Sequence, residues 1–370
     1  MKSKLMICLF VVLAFSLTLA IYARQGGGFV GLIGVITVPG GLGPNGVDLL
    51  WVDQDRGRLY VTDRTNSGVD IIDAVNDVWV DRVPGLVGLT GVGGLRGGPN
   101  GLLVTPDNFL WIADGNGLMQ VVNLNVLPPR ISRTISIGNP AEGRADELAY
   151  DPFERIILIG SDVARPPRIT FISADTYSIL GKIDFPDASG MEEPVWDTQL
   201  HRFLVNVPAA PSSYVATIDP RTLKVTKRFI VPGCTGGVNG MELGPSQRLF
   251  VSACGNGYIM NAINGRIIVN NFPQVAGGDQ VNYNPGDNRY YVTAADRTAG
   301  LGTVLGVFDA DTSKWMQNLP ANGIRNLASY AGNNHIFAAV VSPAATAADT
   351  TVCKQFGFDH TGCIAVFSHN

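Results

Sequence analysis

The sequence predicts an all-β fold in which one four-stranded unit recurs around a closed ring. Three observations carry that expectation. Short apolar runs of strand length alternate with turns rich in Gly, Pro, Asn and Asp. No window of helical length shows a sustained apolar stripe at a 3.6-residue period. A polar residue recurs at the entry of each unit, at Asn45, Asn100, Asp146, Glu192, Asn239, Asp279 and Asn326, with spacings of 55, 46, 46, 47, 40 and 47 residues. A period in the forties with short strands is the signature of a β-propeller. Seven copies predict seven blades, with a six-bladed ring as the alternative.

In chain order, the first element is the segment MKSKLMICLFVVLAFSLTLAIYARQ. Two lysines, an apolar run from Leu5 and small residues at Ala20 and Ala23 have the layout of a secretory signal peptide, assigned here to residues 1–23. An uncleaved anchor is the rival, because Leu5 to Tyr22 approaches the length that spans a bilayer. Residues 24–370 then form one propeller domain, secreted or periplasmic, with no membrane contact after cleavage. Residues 31–39, GLIGVITVP, precede the first polar entry and read as an outer strand. The last repeat supplies only three strands, ending at GCIAVFSHN, so the N-terminal strand is expected to join that blade and close the ring.

Within a repeat, a first strand, a turn such as TPDN or GPSQ, and a second strand such as RLYV or RLFV make a hairpin. A third strand ends in Asp, as in VDIIDA, ITFISADT, YVATIDPRT and LGVFDADT, and segments such as KVTKRFIV supply a fourth. The tryptophans fall in apolar strand patterns and read as core.

The LYVTD strand with its xVxxID partner resembles the YVTN-type secreted propellers. EEPVWDTQLHRFLV is similar to the blade entry of the SMP-30/gluconolactonase group, as are PNGLLVTPDNFLWIAD and VNGMELGPSQRLFVS. That resemblance implies a divalent cation held by Glu, Asp and Asn from different blades, and hydrolysis of a lactone or ester. The chain departs from the group in blade count, six being usual there, and in carrying its Glu entry mid-chain.

The same position in every repeat meets its counterparts around the propeller axis, and here all seven are Asn, Asp or Glu. Oxygen ligands of this kind suit Ca²⁺ or Mg²⁺, and three carboxylates close together repel unless a cation, water or shared protons intervene. The candidate ligands are Glu192, Asn239, Asp279, Asn100, Asp146, Asn45 and Asn326, not all of which can bind directly, and the resemblance implies Asp279 or Asp146 as general base. The competing explanation is structural, since Asn and Asp also cap turns at strand entries. Arg144 and Arg325 stand beside ring positions, either to orient an anionic substrate or to pair with the neighbouring carboxylates.

Other classes are disfavoured. Removal of Lys2 and Lys4 leaves 25 basic against 31 acidic residues, a net charge of −6 without a basic run, so nucleic acid is a poor partner. GLGPNG at 41–46 matches GxGxxG but leads into a strand, and there is no G-x-S-x-G elbow. The four histidines read as solvated. Cys234, Cys254, Cys353 and Cys363 have no CxxC spacing for zinc; proximity suggests disulfides 234–254 and 353–363, although four cysteines permit three pairings. Against the hydrolase stands a non-catalytic propeller that binds a protein or glycan.

Overall fold

The computed structural model of the protein describes residues 28–90 and 97–369. The leader assigned to residues 1–23 lies outside them. Seven four-stranded antiparallel sheets follow one another in chain order. Blade 1 begins with the strand Val47–Asp53, blade 2 with Leu102–Val104, blade 3 with Leu148–Asp151 and blade 4 with Glu192–Asp197. Blades 5, 6 and 7 begin with Val238–Leu243, Val281–Asn284 and Ile324–Tyr330. Helical structure among the described residues is limited to four 3-10 turns, and no helix is long and apolar enough to cross a membrane.

The ring is held by seven apolar clusters, one at each seam between neighbouring blades. Side chains alternate across a strand, so the second strand of blade 1 sends Leu59 and Val61 toward blade 7 and Tyr60 toward blade 2. Blade 5 repeats the device: Leu249 and Val251 face blade 4, while Phe250 faces blade 6. In runs such as RLYV and RLFV the three residues after the arginine are all apolar because both faces are buried there. The outermost strands have one covered face, and Ile267–Asn270 accordingly alternates half-buried and exposed residues.

The recurrent aspartates at strand ends are turn caps. Asp53 Oδ1 accepts from the amides of Asp55 and Arg56 at 3.1 and 3.0 Å, and Asp151, Asp197 and Asn284 cap the corresponding turns of blades 3, 4 and 6. Asp73 and Asp309 do the same after third strands. Each such side chain replaces a ladder bond that the turn breaks.

Blade 7 is composite. The N-terminal strand Val30–Ile36 pairs antiparallel with the C-terminal strand Cys363–His369, Val30 opposite His369 and Ile36 opposite Ile364. The first and last described strands therefore share one sheet and close the ring. Asp287 of blade 6 reinforces the seam, accepting from Tyr291 Oη at 2.5 Å and lying 2.6 Å from His369 Nε2. His369 is thus half-buried and partnered, which corrects its reading as solvated. The expected disulfides are present: Cys234–Cys254 flanks the first hairpin of blade 5, and Cys353–Cys363 fastens the long connection of blade 7 to its third strand. Crosslinks of this size restrict the unfolded chain by roughly 3 kcal/mol each in the chain-entropy picture.

Candidate functional site

The edges of the first strands line the central channel. Each pairs with its second strand from Leu50, Leu102, Leu148, Val195, Met241, Val281 and Leu327 onward. In blades 1, 4, 5 and 7 a register shift just before that residue releases two positions from the ladder. Two residues before each paired position stand Asp48, Asn100, Asp146, Glu193, Asn239, Asp279 and Arg325.

This register corrects three of the expected ring positions. Asn45 is exposed on a turn before blade 1, and Asp48 takes its place. Glu193, not Glu192, is the counterpart of Asn100, and Glu192 pairs with Asn206. Asn326 sits one position beyond Arg325. Asn100, Asp146, Asn239 and Asp279 fall where the repeat puts them.

Arginines dominate the contacts at this rim. Arg64, 5 % exposed, donates from Nε to Asn100 Oδ1 and Pro99 O, both at 3.1 Å, and pairs through Nη2 with Asp48. Arg144 pairs with Asp146 at 3.0 Å and Asp162 at 3.2 Å. Arg325 lies 3.8 Å from Asp279, whose side chain is 44 % exposed at the mouth. The Asn100 amide donates to Ala145 O and the Asn326 amide to Asp48 O, each bridging to the next blade. The glycine after Asn100 has its own steric reason. A Cβ on Gly101 would stand 2.5 Å from Asp146 O, where the neighbouring blade's backbone crosses. Gly240, after Asn239, is equally confined, 2.6 Å from Asp279 O.

Burial raises the Asp146 carboxyl well above the usual carboxylate range, with Arg144 opposing. Partial withdrawal from water likewise raises Asp279, again against an arginine, Arg325. Glu192 is raised by burial and by the charges of Asp146, Asp162 and Asp279. The seven expected residues differ in what their side chains already hold. Asn45 is elsewhere, the Asn100 oxygen and Asp146 are held by guanidinium groups, and Asp279 faces a third. Among the described residues, no three acidic, His or Cys side chains stand close enough to share an ion.

Past the rim the channel widens into a cavity of about 520 Å³ to which all seven blades contribute. It runs along the first strands, from Leu49 to Gln54 in blade 1 and from Gln280 to Pro285 in blade 6. Trp51, Tyr150, Trp196 and Tyr283 form aromatic wall, and Glu147, Glu193 and Glu242 bring carboxyl groups from three consecutive blades. Of the tryptophans read as core, only Trp111 is sealed; Trp51 and Trp196 are half-buried here. Glu193 reaches across the seam, its Oε2 accepting from Met241 N at 2.7 Å. Glu242 accepts from Leu243 N at 2.8 Å. Gln280 joins blades 6 and 7, accepting from Leu327 N at 2.9 Å. Glu147 Oε2 is shielded from water and has no hydrogen-bond partner.

No Lys, Arg or His is among the described residues lining this cavity. Burial raises Glu147 and Glu193 well above the glutamate range. Glu192 and Glu193 push Glu147 further up, while the Met241 amide pulls Glu193 back. Burial carries Glu242 to about 7 against the Leu243 amide. At that value the Glu242 carboxyl takes up and releases its proton near neutrality.

No protein-family model and no curated protein matches the sequence. Solved structures do share its fold. Hydrazine synthase of Kuenenia stuttgartiensis aligns with a TM-score of 0.63 at 13 % identity, over 80 % of this chain and 92 % of that one. A chain of the mitotic checkpoint complex aligns with a TM-score of 0.61 at 15 % identity, over 85 % and 88 %. Identities this low carry the fold and leave function to the site itself.

Proposed function

We propose that this chain is an extracytoplasmic propeller that captures a small molecule in its central channel. One observation carries the reading: a cavity of about 520 Å³ lined by all seven blades, within the few hundred to about 1,000 Å³ of typical ligand pockets. Apolar and aromatic wall with a few convergent polar groups is the composition such pockets have. The two disulfides support an oxidising compartment.

A second reading, a metal-dependent lactone or ester hydrolase, has one specific observation in its favour. Glu192 is the rim acid for which no hydrogen bond or ion pair holds the carboxyl among the described residues, and Asn239 and Asp279 follow it on the next two blades. A protein or glycan partner would use the outer faces and leave the cavity idle.

Thermal melting against a panel of cationic, neutral and anionic small molecules, paired with tryptophan fluorescence, separates these readings. The expected result is a saturable rise in melting temperature, with a fluorescence change from Trp51 and Trp196. A ligand at 100 times its Kd stabilises by about 2.7 kcal/mol. A panel without a binder overturns the capture reading. If Ca²⁺ alone then raises the melting temperature and Glu192→Gln abolishes the rise, the hydrolase reading takes its place.

A further inference from the structure

Resting on the channel as a ligand site, we infer that it selects small organic cations, an ammonium head among Glu147, Glu193 and Glu242 with its carbon substituents against Trp51, Trp196 and Tyr283. Four observations converge on that chemistry. Three carboxyl groups come from consecutive blades into one cavity, and no basic side chain among its described residues opposes them. Each arginine described at the rim is already paired with aspartate, so none supplies the missing charge from above. Glu147 Oε2 is buried with no hydrogen-bond partner among the described residues, so no donor there offsets the cost of burying the carboxyl. The wall is aromatic, and an alkylammonium gains from aromatic faces as well as from carboxylates.

The alternative cation, a metal ion, asks for more than the cavity gives. Ca²⁺ draws six to eight oxygens to about 2.3–2.6 Å around one point, and the acidic groups do not converge to that degree. An ammonium donates at about 2.7–2.9 Å, and a ligand several carbons long reaches acids that a point charge cannot bridge. An anionic ligand would oppose the ionisation of all three carboxyl groups. A neutral sugar would satisfy hydrogen bonds but offers no positive charge to take the place of their protons.

The raised affinity of these glutamates for protons adds a signature. In the free protein, protons relieve the repulsion among Glu147, Glu193 and Glu242 and the field of Glu192, Asp146, Asp48 and Asp279 around them. A bound ammonium replaces those protons, so binding releases them and tightens as pH rises.

Isothermal titration of the mature protein with choline and with 1,4-diaminobutane tests the inference, run at pH 6 and pH 8 in two buffers of different ionisation enthalpy. Expected are saturable binding by at least one cation, at least threefold tighter at pH 8, and a buffer-dependent heat that reports proton release. Glu147→Gln and Glu193→Gln should each weaken binding at least tenfold. Should either variant fail to fold, Glu242→Gln carries the same expectation. The neutral isostere 3,3-dimethylbutanol, glucose, gluconate and Ca²⁺ are run alongside. Binding of a neutral or anionic probe without either cation overturns the inference while leaving the channel reading intact. Silence from every probe overturns both. Ca²⁺ binding that Glu193→Gln removes, with no response to the ammonium compounds, assigns the carboxylates to a metal instead.

Discussion

At the rim of the channel, Asp48, Asp146 and Asp162 lie against Arg64 and Arg144. Further in, Glu147, Glu193 and Glu242 share a cavity with aromatic rings and no basic side chain among its described residues. Both tiers place carboxylates where burial penalises charge, and they answer it differently. Rim charges are neutralised within the protein, at the cost of desolvating the guanidinium groups as well. Interior charges are met by backbone amides in two cases and by nothing in the third. A neutralised tier is architecture, because removing one partner strands the other. An unneutralised tier stores repulsion that a proton or a ligand can relieve, and stored repulsion of that kind marks functional sites.

The comparison breaks first at Arg144. Arg144→Met keeps much of the side-chain volume but leaves Asp146, 2 % exposed, beside Asp162 with no guanidinium between them. The expected loss is about 3 kcal/mol, as for other buried pairs stripped of one partner, and it should be larger at pH 8 than at pH 5 because protonation relieves the stranded acids. Chemical denaturation at the two pH values measures it. A variant as stable as the parent would show that the rim acids are neutral and that the two tiers do not differ in kind.

The opposite sign is expected inside. Glu147→Gln removes a carboxyl whose ionised form has no hydrogen-bonded counter-ion and whose Oε2 has no partner among the described residues. The ligand-free protein should gain about 1 kcal/mol at pH 8, read as a higher melting temperature, while its ligand response falls. Destabilisation instead would assign Glu147 to the framework, alongside Asp146.

Much of this was legible in the sequence, and the limits have a physical cause. Strands apolar on both faces, Asp at the strand ends and a polar entry every forty-odd residues suffice for a propeller, and chain proximity sufficed for both disulfides. Depth in the channel was harder. A slip of one residue turns a strand side chain to the opposite side, and here the bulges before Leu50 and Val195 set the register. Matching the two PNG triplets therefore selected Asn45. Alignment on the ends of the second strands would have selected Asp48, which precedes Asp63 by 15 residues just as Asp146 precedes Ser161. Glu147 and Glu242 adjoin motif residues and carry no motif of their own. Arg64 directly follows the LYVTD strand, and only the fold brings it to Asn100.

The smallest effect expected is a pH dependence that belongs to the interior tier. Glu242 is held up to about 7 by burial, against an ordinary glutamate value of 4.5. The folded protein therefore binds a proton that the unfolded chain has already released between those two values. Its stabilising contribution is complete below about pH 4.5 and is lost as the pH climbs through 7. Asp70, also raised to about 7 by burial beside Asp63 in blade 1, adds a contribution of the same sign from outside the channel. The ligand-free protein should thus melt higher at pH 5 than at pH 8, the reverse of a fold limited by acid-labile ion pairs. Glu242→Gln should remove a share of that slope, somewhat under about 1 kcal/mol once water in the cavity is allowed for, and leave the Asp70 share intact. A saturating ammonium ligand should flatten the slope further, because its charge takes the place of the proton. Melting curves of the parent and Glu242→Gln between pH 5 and pH 8, with and without choline, give all three comparisons. Parallel slopes in every case would mean that Glu242 stays ionised throughout, and the interior tier would then be as settled as the rim.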